Sequence, residues 1–449
     1  MAGKKTQAQL TPEEKLQQAL VPEAEQPYKV PANWCWTYVK YVSEVVTGGT
    51  PSKKHTEYYS GNFPFFKPAD LDAERYVYDA SEYLSEEGKK VSRIIPKYST
   101  AVCCIGSIGK SGYLEVEGTT NQQINSAIPK FNSLYLYYFI KSEYFIEQLW
   151  RKASATTISI VNKSKMEDCV FPLPPLTEQQ RIVERIESLF AKLDEAKEKL
   201  QNVLDGFETR KAAILHKAFT GELTANWRKQ HGVSMDSWEE KALQEVCSSI
   251  YDGDHMPPPK SETGIPFLVI SNVNTGYLSF ENTRFVPEEY YNSLNMVRKP
   301  CKGDVLYTLV GSYGISVIVD TDRNFCFQRH MALLKPKNID TRYLWYTLQT
   351  QQTYEKATKI ATGTAQLTVP IKGLRQMEIY VPTLQEQTEI VRIIDGLLAK
   401  EQQAKELAEN VLDKIELIKK SILARAFRGE LGTNNLADEP AVELLKRML

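Results

Sequence analysis

The chain has 449 residues, a formal net charge of −1, 25% charged residues and 42% hydrophobic residues. That is ordinary globular composition, and the length suggests about three units of roughly 150 residues. Near-neutral charge weighs against a uniformly basic nucleic-acid binder but leaves room for a local positive face. A spanning helix needs ~18 apolar residues, and the longest apolar run is "LYLYYFI" from Leu134.

The N-terminal "MAGKKTQAQLTPEEKLQQAL" has no apolar signal core, so a cytoplasmic protein without a membrane anchor is expected. Residues 1–30 are expected to form a helical extension. Residues 31–175 read as a mixed α+β domain. "STAVCCIG" from Ser99 is strand-like, and "LYLYYFIKSEYFIEQLWRKA" from Leu134 is helical. Cys35, Cys103, Cys104, Cys169, Cys247, Cys301 and Cys326 are odd in number and form no C-x-x-C. They argue for buried free thiols, not a disulfide framework or a zinc ribbon.

Residues 176–230 carry a long helix. Ile182, Ile186, Leu189, Leu193, Ala196, Leu200, Val203 and Phe207 alternate in steps of four and three, a coiled-coil seam. Thr177 and Gln180 have capping-box spacing, and Pro174–Pro175 bars an earlier start. Residues 231–383 form a second mixed domain. Its strands are "IPFLVISNV" from Ile265, "DVLYTLVG" from Asp304 and "ISVIVD" from Ile315; "RYLWYTLQTQQTYEKATK" from Arg342 is helical. Residues 384–432 repeat the long helix, with Ile390, Ile394, Leu397, Glu401, Ala404, Ala408, Val411 and Ile415 in the seam. Glu401 alone breaks it, softening the packing or facing a partner. A tail helix is expected over 433–449.

The second half restates the first. "AFTGELT" from Ala218 returns as "AFRGELG" from Ala426, 208 residues later. "PPLTEQQRIVERIESLFAKLDEAKE" from Pro174 faces "PTLQEQTEIVRIIDGLLAKEQQAKE" from Pro382 at that offset. "ASATTISIV" from Ala153 faces "ATGTAQLTV" from Ala361, and "LYLYY" from Leu134 faces "RYLWY". "IGSIG" from Ile105 faces "VGSYG" from Val310 with a loop-length difference. A repeat this long is a domain duplication, not a solenoid. Each helix of about 40 residues would span ~60 Å. Two in one chain would pair, antiparallel under a pseudo-twofold arrangement, though the seam also suits dimerisation with another chain.

Several loops carry groups suited to DNA. "GGTPSKKH" supplies Lys53, Lys54 and His55; "GSIGKSG" supplies Lys110; "NQQIN" supplies Gln122 and Gln123; "KASATT" supplies Ser154 and Thr156. In the second half, "DGDHMPPPK" supplies His255 and Lys260, "GSYGIS" supplies Tyr313, "FQRH" supplies Arg329 and His330, and "TGTAQ" supplies Thr362, Thr364 and Gln366. Gln pairs with adenine edges and Arg with guanine, while Ser, Thr and Lys bind phosphate. Taken singly, each is also an ordinary solvated loop residue; their matched placement in both halves favours recognition. Tyrosine is abundant, 24 against 16 Phe, which suits a wet recognition surface and equally suits routine half-buried positions.

Catalytic signatures are missing. The chain has no G-x-x-x-x-G-K-[ST], H-E-x-x-H or G-x-S-x-G. "DGDH" at Asp252 reads as a turn ahead of three prolines before it reads as a metal site. "MPPP" at Met256 is not the motif with which adenine methyltransferases hold a flipped base.

"PLPPLTEQQRIVERIESLFAKLD" closed by "AFTGELT" resembles the central conserved region of type I restriction–modification specificity subunits. "VPTLQEQTEIV" closed by "AFRGELG" resembles their distal conserved region, and the chain ends are similar too. The resemblance covers essentially the whole chain. It implies two mixed α/β target recognition domains, each reading half of a split double-stranded DNA site, held apart by an antiparallel coiled coil. It implies a non-catalytic chain without a cofactor of its own. Two modification subunits would bring S-adenosylmethionine and methylate adenine N6. Restriction subunits using ATP and Mg are compatible with it. Fusing two copies lets the heads diverge, so the site need not be a palindrome, as it must be for a symmetric dimer. The rival readings are a coiled-coil scaffold without DNA specificity and a stand-alone nucleic-acid enzyme.

Overall fold

The computed structural model describes residues 11–72, 76–154, 158–255 and 258–449. The chain packs as two compact units, neither continuous with the linear halves: one takes residues up to 199 together with 410–449, the other residues 200–409. Both are α+β.

In the first unit, Ser43–Thr47, Ile124–Pro129, Thr100–Cys103, Ser111–Leu114 and Tyr76–Val77 lie side by side in that order. A small sheet of Tyr83–Leu84, Tyr59–Phe66 and Thr119–Thr120 stands beside it, and Cys35–Tyr38 pairs antiparallel with Val170–Leu173. The second unit repeats the plan with one strand fewer in the main sheet: Cys247–Asp252, Met331–Pro336, Val305–Thr308 and Ser316–Ile318; then Arg284–Val286, Ile265–Leu268 and Cys326–Phe327; then Glu239–Ala242 with Glu378–Val381. Helix Ser133–Lys141 buries every residue from Tyr135 to Ile140. Its counterpart Thr341–Leu348 buries Tyr343, Leu344 and Tyr346.

Each expected helical run after these strands is two helices. Ser142 separates Ser133–Lys141 from Glu143–Lys152, and Gln349–Thr350 separates Thr341–Leu348 from Gln351–Ile360. The cause is a side-chain cap in each copy. Ser142 Oγ accepts from Phe145 N (3.3 Å) and Thr350 Oγ1 from Thr353 N (3.2 Å), which restarts the helix.

The long helices run Leu176–Asp205, Phe207–Phe219 and Leu384–Ala426. The interruption at Gly206 is local: its amide still donates to Asn202 O (3.1 Å), and the Arg210 guanidinium fills the space a Cβ would take. From there Arg210 Nε donates to Glu401 Oε2 (2.7 Å), so the residue that interrupts the expected seam has an intrachain cation. Pairing is antiparallel within both units. Asp194 meets Lys419 and Lys197 meets Glu416 in the first; Arg210 meets Glu401 and Lys405 covers the Phe207 ring in the second.

The apolar stripe departs from the expected seam. Ile182, Ile186, Ile390, Ile394, Ala408 and Ile415 are buried, and Leu189, Leu193, Ala196, Leu200, Phe207 and Leu397 are half-buried. Val203 and Val411 are each 40% exposed, and Ala404 is exposed. The half-buried positions fall one residue later, at Leu204, Lys405 and Leu412. A strict four–three repeat drifts against 3.6 residues per turn, and a four-residue step after Leu200 and after Glu401 restores the stripe. The Thr177 capping box is also absent. Helix Leu176–Asp205 begins one residue before Thr177, and Pro175 O accepts from Glu178 N and Gln179 N. The side-chain cap occurs in the second copy, where Thr383 Oγ1 accepts from Glu386 N (3.3 Å). Six of the cysteines are buried as free thiols, but Cys301 is exposed in the turn before Asp304.

The repeated phrase explains the interleaved units. Phe427, from the end of the second repeat, packs edge-on against Tyr135 and Phe139 of the first unit (5.3 and 5.2 Å). Phe219, from the end of the first repeat, packs on Tyr343 of the second (5.2 Å). Each tail completes the other repeat's head. A fully buried glutamate latches each junction. Glu178 accepts from Trp34 Nε1 (2.7 Å) and Asn434 Nδ2 (2.8 Å). Glu386 accepts from Trp238 Nε1 (3.1 Å), Thr224 Oγ1 (2.7 Å) and Arg228 Nη1 (2.6 Å). The neighbouring glutamines tie each long helix to its head: Gln179 Oε1 accepts from Asn132 N (3.4 Å) and Gln387 Oε1 from Asp340 N (2.8 Å).

Candidate nucleic-acid interface

In each unit four separate loops are stitched together at one end of the main sheet. In the first unit Cys104 N donates to Gln123 O (2.7 Å), Val161 N to Cys104 O (2.9 Å) and Gly106 N to Ser159 O (3.3 Å). Ser154 and Ile160 exchange backbone bonds (3.0 Å each). Gly48 N donates to Ile124 O (3.0 Å), and any Cβ there would strike the backbone carbonyls of Thr120 and Asn121. The loops at 48–55, 104–110 and 121–123 and the described residues 153–154 and 158–161 therefore share one surface.

The second unit builds the same frame from different side chains. Leu309 N donates to His330 O (2.8 Å), Val369 N to Leu309 O (2.8 Å) and Gly311 N to Leu367 O (3.0 Å); Thr362 and Thr368 exchange bonds (2.8 Å each). Asp254 bridges to Gln328, which brings the 252–255 loop to the same edge. Gly106 and Gly311 take φ of 78° and 72°, a left-handed conformation natural to glycine.

The frame presents most of the expected contact residues. Lys53, Lys54, His55, Gln122, Ser154, His255, Arg329, Thr362, Thr364 and Gln366 are exposed; Lys110, Gln123 and His330 are half-buried beside them, and Lys260 is exposed further along its loop, next to the Ser261 bridge to Phe285. Among the described residues Lys53, Lys54, Lys260 and Arg329 form no salt bridge, which leaves local positive charge despite a net of −1. Thr50 Oγ1 donates to Gln122 Oε1 (2.5 Å), fixing that amide. Two of the three loop histidines are in ion pairs: His55 Nδ1 lies 2.8 Å from Glu57 and its ring stacks on Tyr58, and His255 Nε2 lies 2.8 Å from Asp252. Thr156 lies outside the described residues.

Tyr313 is a correction. It is 7% exposed, stacks face to face on Tyr354 (5.4 Å) and shares a hydrogen bond with Thr358 Oγ1 (3.0 Å). The first-unit counterpart, Ile108, is buried too. The glycines on either side turn the third residue of G-S-x-G inward, so it plugs the core and does not face solvent. Its neighbour Tyr354 is held above the ordinary phenol range, first by the hydrogen bond to Tyr313.

Three features were not foreseen. Arg93 donates through Nη1 to Thr47 O (2.5 Å) at the foot of the 48–55 loop. Arg298 stands between Asp252 and Asp254 (3.6 and 3.5 Å), which makes "DGDH" an ion-pair cluster; burial, then the Asp254 carboxylate, pushes the Tyr290 hydroxyl up. Ile158 is exposed at the loop edge. The arginines come from distant sequence, so no local signal marked them. Cys104 sits beneath the frame, its thiol raised to about 12 by burial. Among the described residues no group of three or more His, Cys, Asp or Glu is placed to hold a metal, and no helix is long and apolar enough to cross a membrane.

A family model for the type I restriction modification DNA specificity domain matches residues 31–205 and again 235–412. The type I restriction enzyme EcoBI specificity subunit of Escherichia coli is 27% identical over 329 residues, 69% of this chain and 68% of that one. The MjaVIII specificity subunit of Methanocaldococcus jannaschii is 25% identical over 435 residues, 91% and 95% of the two chains. The crystallised HsdS subunit from Thermoanaerobacter tengcongensis shares the fold, with a TM-score of 0.59 at 19% identity over 91% of this chain and 100% of that one.

Proposed function

The chain belongs to the specificity-subunit family of type I restriction–modification systems, and on that premise we propose that its two units read the two halves of a split, asymmetric DNA site. It is a DNA-recognition subunit and not an enzyme; the chemistry resides in its partner subunits. The reading rests above all on one observation, the four-loop frame built twice with different side chains. One frame displays Lys53, Lys54, Gln122 and Gln123; the other displays Arg329, Thr362, Thr364 and Gln366. Lysines and hydroxyls contact phosphate and set position, while glutamine and arginine read base edges.

Residues 31–175 and 231–383 are the target recognition domains; 176–230 and 384–432 are the helical regions on which two modification subunits dock. Those subunits bring S-adenosylmethionine to adenine N6, and the assembled complex is open to restriction subunits that use ATP and Mg. The test is to express the chain with its modification subunit and sequence the methylated sites. A bipartite motif is expected. Exchanging residues 36–170 for those of another family member changes one half of the motif only. Loss of both halves in an assembled, active complex overturns the reading.

A further inference from the structure

We propose that residues 158 and 366 are one base-reading position filled with two chemistries: Ile158 contacts a thymine methyl group, and Gln366 pairs with an adenine edge. The inference rests on the DNA-recognition reading and deepens it. Ile158 faces Gln366 at the 208-residue offset, and backbone bonds hold both in the same place. The next residue's carbonyl, Ser159 O or Leu367 O, accepts from the first glycine of the G-S-x-G turn, and two residues further on Ile160 or Thr368 closes a bridge to Ser154 or Thr362.

Position 158/366 is thus clamped from one side and open on the other. Ile158 is 57% exposed and Gln366 is exposed as well. An isoleucine on a loop whose neighbours are polar gains nothing from water, whereas a glutamine there is unremarkable. The Gln366 amide lies over Gly311, where a Cβ would collide with its nitrogen, so the turn helps to aim it. In the major groove the thymine methyl is the apolar feature that an aliphatic side chain recognises, and the N6/N7 edge of adenine matches a carboxamide. One scaffold position therefore has a different letter in each unit, which is what an asymmetric site requires.

The test uses the complex of the full chain with its modification subunits, once methylome sequencing has given the wild-type motif. In duplex probes, each thymine of the half-site read by the first unit is replaced in turn by deoxyuridine, which lacks the methyl group. Wild type should lose about fourfold in affinity at one position, the worth of one buried methyl, and the Ile158→Ala complex should show no further loss there. Gln366→Ile should relax an adenine requirement in the other half-site by roughly tenfold and leave the first half-site unchanged. Both variants change exposed side chains, so assembly is retained and is checked by gel filtration. The inference is overturned if the half-site has no A·T pair, or if Ile158→Ala keeps the wild-type deoxyuridine profile. A wild-type complex without any bipartite motif would instead overturn the reading beneath it.

Discussion

Glu178 and Glu386 occupy twin positions, both fully buried and both accepting from a tryptophan indole, yet their remaining partners differ. Glu386 holds a cation, Arg228, itself buried (2.6 Å); Glu178 holds the neutral donors Trp34 and Asn434. Glu386→Ala leaves an uncompensated guanidinium and should cost about 3–5 kcal/mol. Glu178→Ala leaves chiefly an unsatisfied indole N–H and should cost about 1–3 kcal/mol. Denaturant unfolding of both variants measures the difference, and equal losses would mean that water reaches Arg228. The sequence showed these glutamates only as part of a repeated helix start, because nothing local to T-E-Q or Q-E-Q announces that the carboxylate is enclosed by a strap from far along the chain. Tyr313 was misplaced for the same reason: a glycine-rich loop looks exposed throughout, and the direction of one side chain within it depends on backbone angles that composition does not fix.

Among the elements, the C-terminal strap has the clearest pH signature. Thr433 to Asp438 lie along the first unit, and helix Ala441–Met448 buries Ala441, Leu444 and Leu445. Arg181 bonds to Asp438 and holds its carboxyl below the ordinary value of 3.8. A lowered carboxylate stabilises the fold above its unfolded pKa, and that contribution disappears as pH falls through the folded value. The stability difference between wild type and Asp438→Asn should therefore be constant at neutral pH and shrink below about pH 4, as measured by denaturant unfolding across pH. A difference that grows on acidification would rule out the assignment. Helix and strand identity was readable from periodicity, but element ends were not. The breaks at Ser142 and Thr350 need only one cap each within a run of good helix formers. The one-residue shift of the apolar stripe at Val203 and Val411 arises from accumulated helical twist, which a seven-residue template does not contain.

For the molecule as a whole, the decisive feature is that each tail completes the opposite head. Duplication was plain in the sequence; the exchange was not, because alignment pairs each head with the tail that follows it. The exchange predicts that residues 1–232 alone are incomplete as a monomer. Two such halves would place Phe219 where Phe427 packs, and Arg228 beside Glu178. Light scattering should therefore find a dimer, and with modification subunits the methylated motif should become a palindrome built from the first half-site. A monomeric, folded half would overturn this.

The crossed tails also bear on inheritance. A crossover between the codons for "AFTGEL" and "AFRGEL" within one gene deletes a head yet leaves a phrase that still fits the head that remains. A crossover between genes at the same tract delivers a new head to an unchanged latch. The buried contacts that matter most thus lie at the boundaries where recombination would cut, and a lineage can change the DNA word it recognises in a single event while its folding contacts are passed on intact.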